Sequence, residues 1–187
     1  MKCSSLLMAC LLLGVTAPPL SAAPVFVPKS SVTITFREMG LAIDAPFTRF
    51  SATIDFDAAH PAEASARFEI DVSSLDLGSP EYTKAVLQPE WFDAADFPVA
   101  SFASTSLKEI TPTVLEATGR LTIKGQTQFV SFPVIIQDVG ALRAYDGVVR
   151  ISRLAFGVGT GEWLETTLVA DEVVISVHAV AERDRRP

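Results

Sequence analysis

Apolar and polar residues alternate one for one through most of this chain, and a period of two admits little but β-strand. Val32, Ile34 and Phe36 stand against Ser31, Thr33 and Thr35. Phe50, Ala52, Ile54 and Phe56 stand against Ser51, Thr53 and Asp55. Ala66, Phe68 and Ile70 stand against Arg67, Glu69 and Asp71. Further runs cover Val99 to Ser106, Leu115 to Ile123, Thr127 to Ile136, Ala141 to Ser152 and Glu172 to Val180, giving eight strands. Gly40 and the Asp44-Ala45-Pro46 cluster mark a break between the first two. Lys124-Gly125-Gln126 makes a tight hairpin turn. The connections are short and no βαβ rhythm appears, so the class is all-β, an antiparallel barrel or sandwich. Eight strands can close into an up-and-down barrel whose interior holds side chains or one small ligand. Uncharged inward positions fit a filled core and an apolar cavity equally.

The alternation is interrupted once by something different. Ser79-Pro80-Glu81 has the form of a helix start, with serine at the cap and proline at the first position, and the helix runs roughly to Leu87. The stretch Leu87 to Phe102 then gathers Trp91, Phe92, Phe97 and Phe102 between Pro89 and Pro98. It fits neither helix nor strand period. It reads as a corner that swings aromatics inward and feeds the strand at Val99. So many large apolar side chains need a surface to pack on. A plug over one end of a core and the rim of an apolar cavity both satisfy that need.

The N-terminus has the layout of a secretory signal peptide over residues 1–23. Lys2 precedes an apolar run of ten residues, Leu6 to Val15, and small residues Ser21, Ala22 and Ala23 close it. The run is too short for a bilayer, which needs about 20 residues. Cleavage is expected after Ala22 or Ala23, leaving a single domain over 24–187 in the periplasm. Both cysteines, Cys3 and Cys10, fall in the leader, so the domain is expected to have no disulfide, no thiol nucleophile and no cysteine metal site. With 15 basic against 22 acidic residues the formal net charge is −7, which repels phosphate backbones and makes nucleic acid an unsuitable partner.

Catalytic chemistry is poorly supplied. His60 belongs to a turn and His178 to the last strand. No nucleophile elbow is present. Gly157-Val158-Gly159-Thr160-Gly161 lacks the lysine and the strand–turn–helix setting of a phosphate loop and reads as a glycine-rich bend near a barrel rim. Glu90, Asp93 and Asp96 are explained as turn residues. The chain is expected not to be an enzyme and to carry no cofactor or metal.

Four blocks nonetheless form a pattern: Ile70 to Gly78 (IDVSSLDLG), Leu87 to Phe102, Gly119 to Thr127 (GRLTIKGQT) and Arg153 to Gly159 (RLAFGVG). In this order and spacing they resemble the signature of the YceI family of exported lipid-binding proteins. The resemblance implies a lipocalin-like eight-stranded antiparallel barrel with one short helix near its mouth. It implies an apolar channel for a long-chain isoprenoid, a prenylated quinone or a fatty lipid. On that reading the wall is expected to include Phe36, Phe50, Ile54, Phe68, Ile70, Phe102, Leu121, Phe132 and Ile175, with Trp91, Phe92, Phe97 and Trp163 nearer the opening. The glycine bend and the Glu90-Trp91-Phe92-Asp93 variant resemble members associated with membrane b-type cytochromes. That makes a redox accessory module carrying a prenylated quinone the alternative. A homodimer is left open.

Overall fold

A computed structural model describes residues 23–57, 60 and 63–183. The leader expected over residues 1–23 therefore lies outside the described residues, except for Ala23. The strands are β1 (Ala23–Pro24), β2 (Ser31–Glu38), β3 (Leu41–Phe47), β4 (Phe50–Asp55) and β5 (Ser65–Asp71), followed by helix α1 (Pro80–Val86). After the aromatic corner come β6 (Val99–Thr111), β7 (Val114–Ile123), β8 (Gln126–Val139), β9 (Leu142–Ser152) and β10 (Val169–Glu182). They form one ten-stranded antiparallel sheet in the order β1-β4-β5-β6-β7-β8-β9-β10-β2-β3.

The expected eight strands are all present, and two more join them. β3 occupies the stretch read as a break. Pro46 cannot donate a ladder bond, but β3 is an edge strand, where that loss is tolerated. Pro46 pairs with Thr33, and its carbonyl accepts the Asp76 N–H at 2.9 Å. β1 is too short to show a period at all and is placed by its partners, Ile54 and Thr53.

The sheet curls until its edge regions meet. Beyond β1, the Val25 N–H donates to the Ala52 carbonyl at 3.0 Å and the Phe26 N–H to the Val180 carbonyl at 2.7 Å, so this segment bridges β4 and β10. On the far side, Phe47 at the end of β3 pairs with Leu75. Contact on that side is confined to the end of β3, which otherwise has no strand beside its outer edge among the described residues.

α1 starts at Pro80 as the sequence suggests, but Ser79 makes no side-chain capping bond. The turn before the helix is held instead by the Thr83 hydroxyl, which accepts from the Leu77 N–H at 3.3 Å, and by the Asp76 carboxylate, which accepts from the Gly78 N–H at 2.8 Å. At the β7–β8 turn Lys124 and Gly125 both take positive φ, +48° and +72°. That is the twist-matched two-residue hairpin turn.

Candidate functional site

Inward residues of the strands surround a cavity of about 440 Å³ that runs the length of the barrel interior. That size lies within the roughly 300–1,000 Å³ of small-molecule sites. Its deep wall includes Leu107, Leu115, Ala117, Tyr145 and Ala179; its upper wall includes Trp91, Phe92, Phe156 and Trp163. Glycine makes room for the rings that shape its middle. A Cβ on Gly119 would lie 2.6 Å from the Phe102 ring, and one on Gly147 would lie 3.1 Å from Phe132. Phe102 and Phe132 meet with centroids 5.6 Å apart and planes tilted by 56°, a favourable aromatic geometry.

The mouth is built from two connections, Gln88–Phe97 and Arg153–Leu164, that are tied to each other through main-chain carbonyls. The Glu90 carbonyl accepts from the N–H groups of Gly159 and Thr160, at 2.9 and 2.8 Å, and from the Thr160 hydroxyl at 3.3 Å. From the hairpin turn, Lys124 Nζ donates to the carbonyls of Pro89 at 2.6 Å and Gly157 at 2.9 Å. Arg153, at 3% exposure, lies at the centre. Its Nε donates to the Ala170 carbonyl, Nη1 to those of Val158 and Gly159, and Nη2 to those of Trp163 and Val169, at 2.6 to 3.1 Å. Every nitrogen of the planar fork is thereby engaged, the condition under which a buried guanidinium is tolerated. Burial pushes its pKa down, and the Asp171 carboxylate nearby pushes it up. The guanidinium carbon sits 5.5 Å from the Trp91 ring centroid, and Trp91 meets Trp163 at 5.2 Å. The glycines of the bend have positive φ, and at Gly159 (+80°) a Cβ would fall 2.0 Å from Arg153 Nη1.

Of the side chains expected on the wall, Phe36, Ile54, Phe68, Ile70, Phe102, Leu121, Phe132 and Ile175 line the cavity, as do Trp91, Phe92 and Trp163. Phe50 and Phe97 do not. Phe50 is spent in packing, wedged against both the Ala52–Leu115 cluster and the Phe47–Leu75 cluster. Phe97 turns away and lays its ring under the hairpin turn, where a Cβ on Gly125 would be 2.7 Å from it. Arg153 and Lys124 were not singled out by sequence. The available signal was a lone charge in an apolar stretch, Ile151 to Gly157, directly ahead of a glycine-rich bend. His178 pairs with Asp146 at 2.6 Å, both half-exposed, and His60 pairs with Asp57 in its turn.

Residues 26–181, from just after β1 to near the end of β10, match the YceI-like domain. The chain belongs to the YceI-like family. A UPF0312 protein of Pseudomonas savastanoi pv. phaseolicola is 30% identical over 135 residues, which span 66% of this chain and 68% of that protein. The crystal structure of Burkholderia cenocepacia BcnA is 43% identical and superposes with a TM-score of 0.82, covering 84% of this chain and 99% of that one. A polyisoprenoid binding domain from Saccharophagus degradans, at 13% identity and a TM-score of 0.71, shares the fold over 88% of this chain. The YceI-like fold thus carries a lipocalin-like barrel.

Proposed function

We propose that this YceI-like protein binds the apolar chain of a long isoprenoid, or of a similar prenylated or fatty lipid, inside its barrel, in the periplasm and without chemical turnover. The observation that carries the reading is the continuous cavity with a predominantly apolar lining, whose buried guanidinium at the mouth is already committed. Arg153 and Lys124 spend their N–H groups on main-chain carbonyls, so the interior selects by shape and apolarity. Each methylene moved out of water contributes about 0.8 kcal/mol, and ordering of the chain offsets part of this. About ten buried methylenes leave enough surplus for tight retention with few polar contacts.

Native mass spectrometry of protein recovered from a Gram-negative periplasm, followed by solvent extraction, tests the proposal. A defined mass adduct that extracts as a prenylated or fatty lipid is the expected result, and its mass distinguishes a quinone from a plain isoprenoid. Protein that carries no adduct and also takes up no added prenyl lipid would overturn the binding reading. Recovery in the cytoplasmic fraction alone would overturn the location.

A further inference from the structure

Around the opening of the cavity, large apolar side chains face water. Met39 is 75% exposed, Leu41 73%, Tyr82 68%, Leu164 57% and Leu168 52%. They come from three separate parts of the chain, the β2–β3 turn, α1 and the connection before β10. The Met39 N–H donates to the Leu168 carbonyl at 2.7 Å. Leu41 pairs with Glu38, one pair beyond Phe36 and Ile43 on the same strand face, and Glu38, Phe36 and Ile43 all line the cavity. Tyr82 lines it from α1, and Leu164 follows Trp163, which lines it too.

Met39 carries a second, independent sign. It sits in the β2–β3 turn with φ of +50°, followed by Gly40 at +83°. That turn favours asparagine or aspartate in the first position, and an unbranched apolar residue there is strained as well as exposed. Among the described residues, two other non-glycine residues have positive φ, and they differ from Met39. Asp93 is of the type that tolerates the conformation, and Lys124 gains two carbonyls from it. Met39 is engaged through its main chain, by the Leu168 carbonyl, while its side chain is left 75% exposed. A residue that breaks local rules twice at one site is a sign of a function outside the fold.

We infer that the ring of Met39, Leu41, Tyr82, Leu164 and Leu168 is a docking surface for a neutral lipid bilayer, placing the cavity mouth against the membrane. The inference rests on the lipid-binding reading of the cavity, because a chain too apolar for water must enter from a lipid phase. The charges around the ring choose the kind of surface. Glu38, Glu81, Glu162 and Glu165 are exposed beside it, against Arg37 and Lys84, and Arg37 donates to the carbonyl of Gly40 in its own hairpin. An acidic rim is repelled by anionic headgroups and leaves shallow apolar insertion as the attraction.

Flotation with phosphatidylcholine vesicles tests this on the full chain. The comparison is with a variant carrying Met39→Asn, Leu41→Ser, Leu164→Ser and Leu168→Ser. These side chains are exposed and asparagine suits the turn, so the thermal transition should stay in place or rise. Vesicle partitioning should fall about a hundredfold. Met39→Asn alone should raise the transition slightly while weakening flotation, a combination that a structural role for Met39 does not produce. Phosphatidylglycerol in the vesicles should weaken binding of the wild-type protein. Equal flotation of wild type and variant, or stronger binding to anionic vesicles, would overturn the inference. So would a wild-type dimer, seen by sedimentation, that the variant breaks while neither form floats. A native mass spectrum of the same sample keeps the two readings apart. An adduct with no flotation sinks the docking surface alone, whereas flotation with no adduct and no lipid uptake sinks the cavity reading.

Discussion

At the deep end of the barrel Val25 from the N-terminal segment joins Phe56, Leu107, Leu115 and Ile136 in one buried cluster, with Ala52, Ala66, Ala117, Ala179 and Ala181 between them. At the mouth, Phe156, Val158 and Leu121 pack with Trp91 and Phe92, but the connections above them are held by Arg153 and Lys124 through main-chain carbonyls. The deep end is filled by apolar side chains, and only main-chain bonds to β4 and β10 tie the segment that carries Val25. Apolar contact is non-directional, so it collapses on itself and closes whatever it surrounds. Hydrogen bonds have direction, and a network of them can hold two connections at a fixed separation and leave an opening between them. The pairing of a packed floor with a hydrogen-bonded rim is what allows one small domain to be both stable and hollow.

The sharpest way to break this contrast is at Arg153. Arg153→Ala leaves buried carbonyls of Val158, Gly159 and Val169 without their donor and should cost about 4 kcal/mol, read from the urea midpoint at unchanged slope. Arg153→Lys should recover little of it, because an ammonium cannot reproduce the planar fork. A loss below about 1 kcal/mol would show that the rim does not depend on the network. On the floor, Ile136→Ala, in the buried cluster but off the cavity wall, should cost about 3 kcal/mol by opening space at a side chain that is 6% exposed. Its stability loss should come with little change in lipid retention, whereas a mouth variant should change both.

Trp91→Ala sharpens the comparison from the other side. Trp91 is half-buried, meets Trp163 and Arg153, and lines the cavity. Its loss should cost about 2 kcal/mol of stability and speed lipid release by more than tenfold, measured by transfer to acceptor vesicles. Equal stability loss with unchanged release would make Trp91 a packing residue only. The smallest expected effect is on acid stability and should be alike at both ends. Ser73 and then Arg49 hold the Asp71 carboxyl below its ordinary value, and Arg143 does the same for Asp138. A depressed carboxyl contributes stability that is complete above the unfolded value and is lost as pH falls through the folded one. Asp71→Asn and Asp138→Asn should therefore each lower stability slightly at neutral pH and flatten the acid limb of a pH–stability curve, with the difference from wild type vanishing once the carboxyl is protonated.

Strands that bury one face were legible because alternation reports burial directly, as in Val32-Thr33-Ile34. β3 was hidden because Pro46 and Asp44 argue against a strand everywhere except at an edge, and edge position is a property of the whole sheet. The wall aromatics on strands could be assigned a side from their period; Phe97 could not, because an irregular connection has no period to fix its direction. Arg153 was the least legible. Its partners, the carbonyls of Val158, Gly159, Trp163, Val169 and Ala170, are main-chain groups that carry no sequence signature.

The order of the strands also governs when the barrel can form. β2 lies between β3 and β10, and Val32 near the start of the domain pairs with Val177 near its end. The β2–β3 hairpin therefore has no sheet to join until the last strand has emerged, and the N-terminal segment must wait for Val180 as well. Such pairing carries a large loop-closure cost that no local contact offsets early, so folding should be slow and committed late. A chain interrupted before β10 holds a sheet open at both edges, and completion of the last strand is the event that turns a ribbon into a container.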